Sequence, residues 1–112
     1  HEYRVHVVAD RAIKTSEKLG GQGWVRSWDN GWRFKVPTTS FEERKPVRRA
    51  ARRAVRSLGL DFGAVDVLVD ADGKVYVLEV NTAPGIVGII ETSTFARYVE
   101  AITRLVNPPE EE

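Results

Sequence analysis

The chain contains no cysteine and no methionine among its 112 residues. The first absence excludes disulfides, thiolate metal sites and a cysteine nucleophile together. No apolar run approaches the ~20 residues that a membrane span needs, and no basic-then-apolar start resembles a signal peptide. A dominant charge is missing too: Lys+Arg 17 stands against Asp+Glu 16, and the formal net charge of +1 supplies no global pull towards nucleic acid or membrane. These absences lead to the expectation of a cytoplasmic protein without a membrane partner. Hydrophobic residues make up 42% and charged residues 29%, at a length that suits one domain with an ordinary apolar core. Without a starting methionine, and with strand-like sequence almost from the outset, the chain is expected to be a piece of something longer.

Tyr3 to Val8 alternates and is β-branched, and a weaker run follows from Ala12 to about Lys18 after Ala9-Asp10-Arg11, which predicts a β-hairpin. Two aromatic runs, Trp24 to Trp28 and Trp32 to Val36, flank Asp29-Asn30-Gly31 and predict a second hairpin, since tight primed turns need positive φ. From Pro46 to Leu58, Val47, Ala50, Ala51, Ala54, Val55 and Leu58 recur at helical spacing, with Ser40 or Thr39 as a cap and Gly59 as the stop. Phe62 to Val69 and Val75 to Val80 read as two apolar strands around Asp70-Ala71-Asp72-Gly73-Lys74. A Pro/Gly loop, 81–93, leads to a second amphipathic helix from Thr94 to Val106 with Phe95, Tyr98, Val99, Ile102 and Leu105/Val106 as its stripe, and an acidic tail, 108–112, ends the chain. The expected fold class is α+β: an antiparallel β-sheet covered on one face by the two helices.

If Asp72-Gly73 is a two-residue turn, Asp66 stands directly opposite Glu79, and Asn81 points to the same face. Opposed carboxylates repel one another across a sheet, the more so among residues such as Val65, Val67 and Leu78. A hard cation between them removes the repulsion, and a small, incomplete set of oxygen ligands suits Mg²⁺, which keeps waters and takes further ligands from phosphates. The alternative is that Glu79 pairs with one of the many arginines and Asp66 is solvated at a strand end. His1 and His6 read as structural histidines, and Asp70-x-Asp72-Gly73 as a turn without the further acids of a calcium loop.

Leu58-Gly59-Leu60-Asp61-Phe62-Gly63-Ala64-Val65-Asp66-Val67, followed by Tyr76-Val77-Leu78-Glu79-Val80-Asn81-Thr82-Ala83-Pro84-Gly85, resembles the C-terminal part of an ATP-grasp domain. The branch it most resembles holds the ribosomal-protein glutamate ligases and related bacteriophage proteins. Glu2-Tyr3-Arg4-Val5-His6-Val7 is similar to the acidic-aromatic-arginine strand opening the last ATP-grasp subdomain, so the resemblance covers residues 2–107. It implies an ADP-forming carboxylate–amine ligase that works through an acyl phosphate, with ATP and Mg²⁺, or Mn²⁺ in its place, as cofactors. The implied substrates are a carboxylate and an amine, peptide or protein among them.

Carried over residue by residue, the resemblance makes Asp66, Glu79 and Asn81 the metal ligands, with Glu79 and Asn81 also facing the nucleotide. It places Leu68 and Leu78 by the adenine, and makes Lys18 and Arg4 directed cations for phosphate or substrate carboxylate. It sets Arg26 beside the reacting groups, although Ser27-Trp28 follow it and Asn30 comes later than the family's asparagine. N–H groups near Gly85 are implied to bind a substrate carboxylate or oxyanion. Relatives of the D-alanine ligase type carry arginine two residues before the metal aspartate; Ala64 stands there, which points away from that substrate class. The upstream subdomain with its strand lysine and glycine-rich flap has no counterpart in the chain. The chain alone is therefore expected to bind Mg²⁺–nucleotide weakly at most and to turn nothing over.

Arg44, Lys45, Arg48, Arg49, Arg52, Arg53 and Arg56 make the first helix intensely basic. They support a rival reading, a non-enzymatic α+β module binding RNA or another polyanion, against the plainer one of a solvated helix face.

Overall fold

The computed structural model describes residues 1–82 and 92–106, the side chains of 92–95 and 105 excepted. The expected substrate-binding Gly85 and the acidic tail, 108–112, lie outside the described residues. Strands β1 (Glu2–Val8), β2 (Arg11–Leu19), β3 (Arg33–Lys35), β4 (Phe62–Val69) and β5 (Val75–Asn81) form one antiparallel sheet in the order β3-β2-β1-β4-β5. Helix α1 (Lys45–Ser57) joins β3 to β4, and α2 (Thr92–Val106) follows β5. The α+β class is as expected.

Period-2 alternation divides the sheet into two faces. Tyr3, Val5, Val7, Val65 and Val67 meet Val47, Ala51 and Val55 of α1 in the buried core. At about 1.5–3 kcal/mol for each fully buried aliphatic side chain, these valines are the main hold of α1 on the sheet. The opposite face carries Arg4, His6, Asp66 and Leu68. Here the structure corrects the expectation that both helices share one face: Tyr98 of α2 reaches His6, with Oη 2.5 Å from the imidazole Nδ1. Only Tyr98 of the described stripe is buried, while Val99, Ile102 and Val106 remain exposed.

The first hairpin turns at Ala9 and Asp10 alone, both at positive φ (50° and 63°). Helix α1 ends as its glycine demands. Gly59 sits at φ 69°, its N–H donates to the Arg56 carbonyl, and Leu60 N–H donates to the Val55 carbonyl, the double closure of a Schellman stop. Ser40 does not cap α1, whose N-cap is Arg44. Instead Ser40 Oγ accepts from Glu43 N–H at 3.1 Å and Ser40 N–H donates to Glu43 Oε1 at 3.4 Å, closing the turn before the helix.

The second predicted hairpin does not form. Trp24 to Ser27 is not strand, and Trp28–Asn30 makes one 3₁₀ turn that Gly31 ends at φ 84°. Strand β3 pairs instead with the edge of β2, Lys18 opposite Phe34. The unpaired ladder of that edge is a template for any extended segment within reach. The loop closes on itself through Gln22 N–H to the Asn30 carbonyl (3.0 Å) and Asn30 Nδ2 to the Val25 carbonyl (2.8 Å).

Candidate functional site

The β4–β5 connection is one residue longer than a two-residue turn. Gly73 N–H donates to the Asp70 carbonyl and Asp70 N–H to the Lys74 carbonyl, with Gly73 at φ 82°, so Val69 pairs with Val75 and Val67 with Val77. That register alone would not place Glu79 opposite Asp66. A bulge between Val67 and Asp66 takes up the offset, leaving Leu78 without a partner on β4, and Asp66 pairs with Glu79 after all.

Since Arg4 pairs with Asp66 on the other side, Arg4, Asp66 and Glu79 form one row across β1, β4 and β5. Arg4 grips Asp66 with two donors, Nε to Oδ1 at 2.9 Å and an Nη to Oδ2 at 3.2 Å. This is the fork geometry that makes arginine–carboxylate pairs strong. The two side chains retain 23% and 16% of their exposure, so water screens the pair only in part. Glu79 is exposed and has no ion-pair partner among the described residues. The alternative that an arginine takes Glu79 and leaves Asp66 to solvent is thus reversed.

The neighbouring row holds Lys18, Glu2, Leu68 and Tyr76, with Leu68 half-buried between Glu2 and Tyr76. Lys18 Nζ lies 3.2 Å from Glu2 Oε2, a buried oxygen that receives charge compensation there without a well-directed hydrogen bond. Phe34 of β3 lies under both cations, its ring centre 4.3 Å from the Arg4 guanidinium carbon and 5.3 Å from Lys18 Nζ. On the far side of the acid row, Asn81 pairs with Ala64 and His6 with Ala64 in turn. Burial pushes the Tyr98 hydroxyl up to about 12, against the opposing pull of the Arg4 charge.

Arg26 is the predicted residue that this arrangement does not gather in. It lies in the β2–β3 connection with its guanidinium 4.8 Å from the centre of the Trp32 ring. No ion pair joins it to the acid row among the described residues. Leu78, 52% exposed, is the unpaired bulge residue rather than a member of the strand face opposite Glu79.

Glu17 went unnoticed in the sequence. It is 1% exposed, and its Oε1 accepts from Thr38 N–H and Thr38 Oγ1, both at 2.8 Å, while Oε2 lies 2.5 Å from His1 Nδ1. The carboxylate ties the segment after β3 to β2. Its position opposite Tyr3 follows from the hairpin register, which would have flagged an acid on the core face.

For a hard divalent cation, the donor set is two carboxylates, Asp66 and Glu79, and the Asn81 amide. No group of three His, Cys, Asp or Glu side chains exists among the described residues. Two acids and an amide on the neighbouring strands β4 and β5, Asp66 and Asn81 half-buried and Glu79 exposed, fit Mg²⁺, which completes its octahedron with water and phosphate oxygens.

The family described as D-ala D-ala ligase C-terminus matches residues 27–103, more than half of the chain. The chain belongs to that family, the C-terminal subdomain of the ATP-grasp fold. This ATP-grasp subdomain is 35% identical to the probable alpha-L-glutamate ligase 1 of Shewanella sp. over 95% of its own length and 35% of that protein. It is 29% identical to the tetrahydromethanopterin:alpha-L-glutamate ligase of Methanocaldococcus jannaschii over 82% of its own length and 30% of that protein. Among solved structures, the ATP-grasp ligase PsnB complexed with a minimal precursor superimposes with a TM-score of 0.57 at 26% identity, over 78% of this chain and 27% of that one. The subdomain spans about a third of the length of the curated relatives it matches.

Proposed function

We propose that this ATP-grasp subdomain is the Mg²⁺- and phosphate-holding portion of an ATP-dependent, ADP-forming carboxylate–amine ligase acting through an acyl phosphate. The row of Arg4, Asp66 and Glu79, followed by Asn81, carries the reading. It sets two acids and a directed cation side by side on the face opposite α1. Asp66, Glu79 and Asn81 would hold Mg²⁺, or Mn²⁺ in its place, which supplies charge neutralisation of the ATP phosphates. Arg4 and Lys18 are the cations for a transferred phosphoryl group or substrate carboxylate. Leu68, with Leu78 at the bulge, is the apolar ground for the adenine. Arg26 reaches the reacting groups only if its loop is carried over the site, and backbone N–H groups near Gly85 bind the substrate carboxylate.

Relatives named as glutamate ligases, and a ligase complexed with a precursor, support a carboxylate and an amine as substrates, with a peptide or protein as their carrier. Ala64 is 1% exposed and lies between His6 and Asn81, so it leaves no arginine two residues before Asp66 and argues for a carboxylate other than D-alanine. The upstream ATP-grasp subdomain is the partner that closes the cleft, and the cytoplasm, where ATP is plentiful, is the proposed location. The rival polyanion-binding reading keeps Lys45, Arg49 and Arg53 exposed on α1, but the other basic residues of the run are engaged within the chain. Arg44 donates to the Thr39 carbonyl, Arg48 stacks on Phe41, and Arg52 and Arg56 hold Asp10.

The test is ADP release, with Mg²⁺ present, by the chain joined to an upstream ATP-grasp subdomain. Turnover that Glu79→Gln abolishes is the expected result. Failure of the joined protein to bind ATP with Mg²⁺ overturns the proposal.

A further inference from the structure

Both oxygens of Asp66 are taken by the two donors of Arg4, at 2.9 and 3.2 Å. The carboxylate is therefore turned along the row towards β1, away from Glu79 on its other side. Each Asp66 oxygen keeps a second lone pair, but a cation shared with Glu79 draws at least one of them towards β5 and pulls against one arm of the fork. It also brings a divalent charge close to the guanidinium, in a place where solvent screens only part of the repulsion. Arg4 has somewhere else to rest. Its guanidinium already lies over the Phe34 ring, on the side of the row away from Asp66 and Glu79. Lys18, over the same ring, is balanced by Glu2, so the two cations do not compete for one acid.

We infer that Arg4 is an exchangeable counter-ion: a divalent cation taken up by Asp66 and Glu79 releases the Arg4 guanidinium from the Asp66 carboxylate, leaving it over Phe34 and available to an anionic substrate oxygen. The inference rests on the metal-holding role proposed above and adds an order of events to it. In the resting chain the strand arginine neutralises Asp66 and is not available to phosphate. Metal uptake converts it into an anion receptor, so the site acquires its cation and its arginine donor together. The exchange also sets a cost on the metal, which must outcompete an internal ion pair.

The experiment uses the chain with Mg²⁺ alone as the probe. The arginine Nε–H resonance assigned to Arg4, identified by its loss in Arg4→Lys, should move and exchange faster with solvent as Mg²⁺ is added. The movement should follow the same saturation curve as Mg²⁺ binding measured calorimetrically. Arg4→Lys keeps the charge and loses the fork, so it should bind Mg²⁺ about threefold or more tightly than the parent. An Arg4 resonance unmoved at saturating Mg²⁺, or equal affinity in Arg4→Lys, overturns the exchange. Mg²⁺ binding that depends on Glu79 while Arg4 keeps its hold on Asp66 sinks the exchange alone. If the chain binds no Mg²⁺, the metal-holding role falls with it.

Discussion

Asp66 pairs with Glu79 across β4 and β5 because two one-residue irregularities cancel. The three-residue turn closed by Gly73 shifts the β4–β5 register by one, and the bulge at Leu78 shifts it back. A side-chain period of two means that either irregularity alone would turn one acid to the wrong face. The two together set both acids on one face of the β4–β5 pair and leave Leu78 exposed beside them.

Glu79→Gln is expected to separate stability from metal binding. Removing one of two opposed like charges should stabilise the fold in the absence of divalent ions by about 0.5 kcal/mol. The same change should abolish Mg²⁺-dependent stabilisation. Urea denaturation with and without Mg²⁺ checks both signs.

Glu17→Ala should cost about 2–3 kcal/mol, because it strips a buried acceptor from Thr38 N–H and Thr38 Oγ1 and leaves those donors unpaired. Its effect on Mg²⁺ affinity should be small, since Glu17 points to the core face. Chemical denaturation and calorimetry of the same variant check the pair of statements.

Asp10 should give the hairpin an acid-sensitive tie to α1. The hydrogen bond from Arg56 holds its carboxyl below the ordinary 3.8, with Arg52 adding to the effect. A depressed folded-state value contributes stability above the unfolded value that is lost as pH falls through the folded one. The contribution of Asp10, read as the difference from Asp10→Asn, should thus be complete above about pH 4 and fade below it. Thermal melts of both proteins from neutral to acid pH measure it.

Tyr98 behaves in the opposite sense at high pH. With its hydroxyl pushed up to about 12 from 10.0, the folded state prefers the neutral phenol. Stability from this group is therefore present below pH 10 and declines as pH rises towards 12. Tyr98→Phe should lose the His6 contact at neutral pH yet flatten that alkaline decline, which absorbance at the phenolate band and melts above pH 10 would show together.

Gly21→Ala should disturb the Arg26 loop selectively, since a Cβ there would lie 2.2 Å from the Trp32 ring. The indole must leave its seat, and Arg26 loses the ring on which it rests. Gly73→Ala meets nothing within 4 Å and costs only the positive φ, about 1 kcal/mol. Near-ultraviolet circular dichroism should change in the first variant and not in the second.

What the sequence by itself determined was local. Alternation in Tyr3–Val8 and Phe62–Val69, the helical spacing of Val47, Ala51 and Val55 and the stop at Gly59 are each carried by neighbours in the chain. The acid pair was legible as well, although by a simpler register than the one that forms. What only the tertiary structure decided depends on distant partners. Asn30-Gly31 has hairpin chemistry, but β3 found the open edge of β2. Glu17 looks like a surface acid in a weak strand, and the segment after β3 buries it. The basic run looks free, yet Asp10 and Phe41 engage Arg48, Arg52 and Arg56 of α1, and the Thr39 carbonyl engages Arg44 at its N-cap. Arg4 reads as a lone cation until β1 lies beside β4. Charge and edge pairing act between groups far apart in sequence, so their outcome appears only when the sheet order brings those groups within a few ångströms.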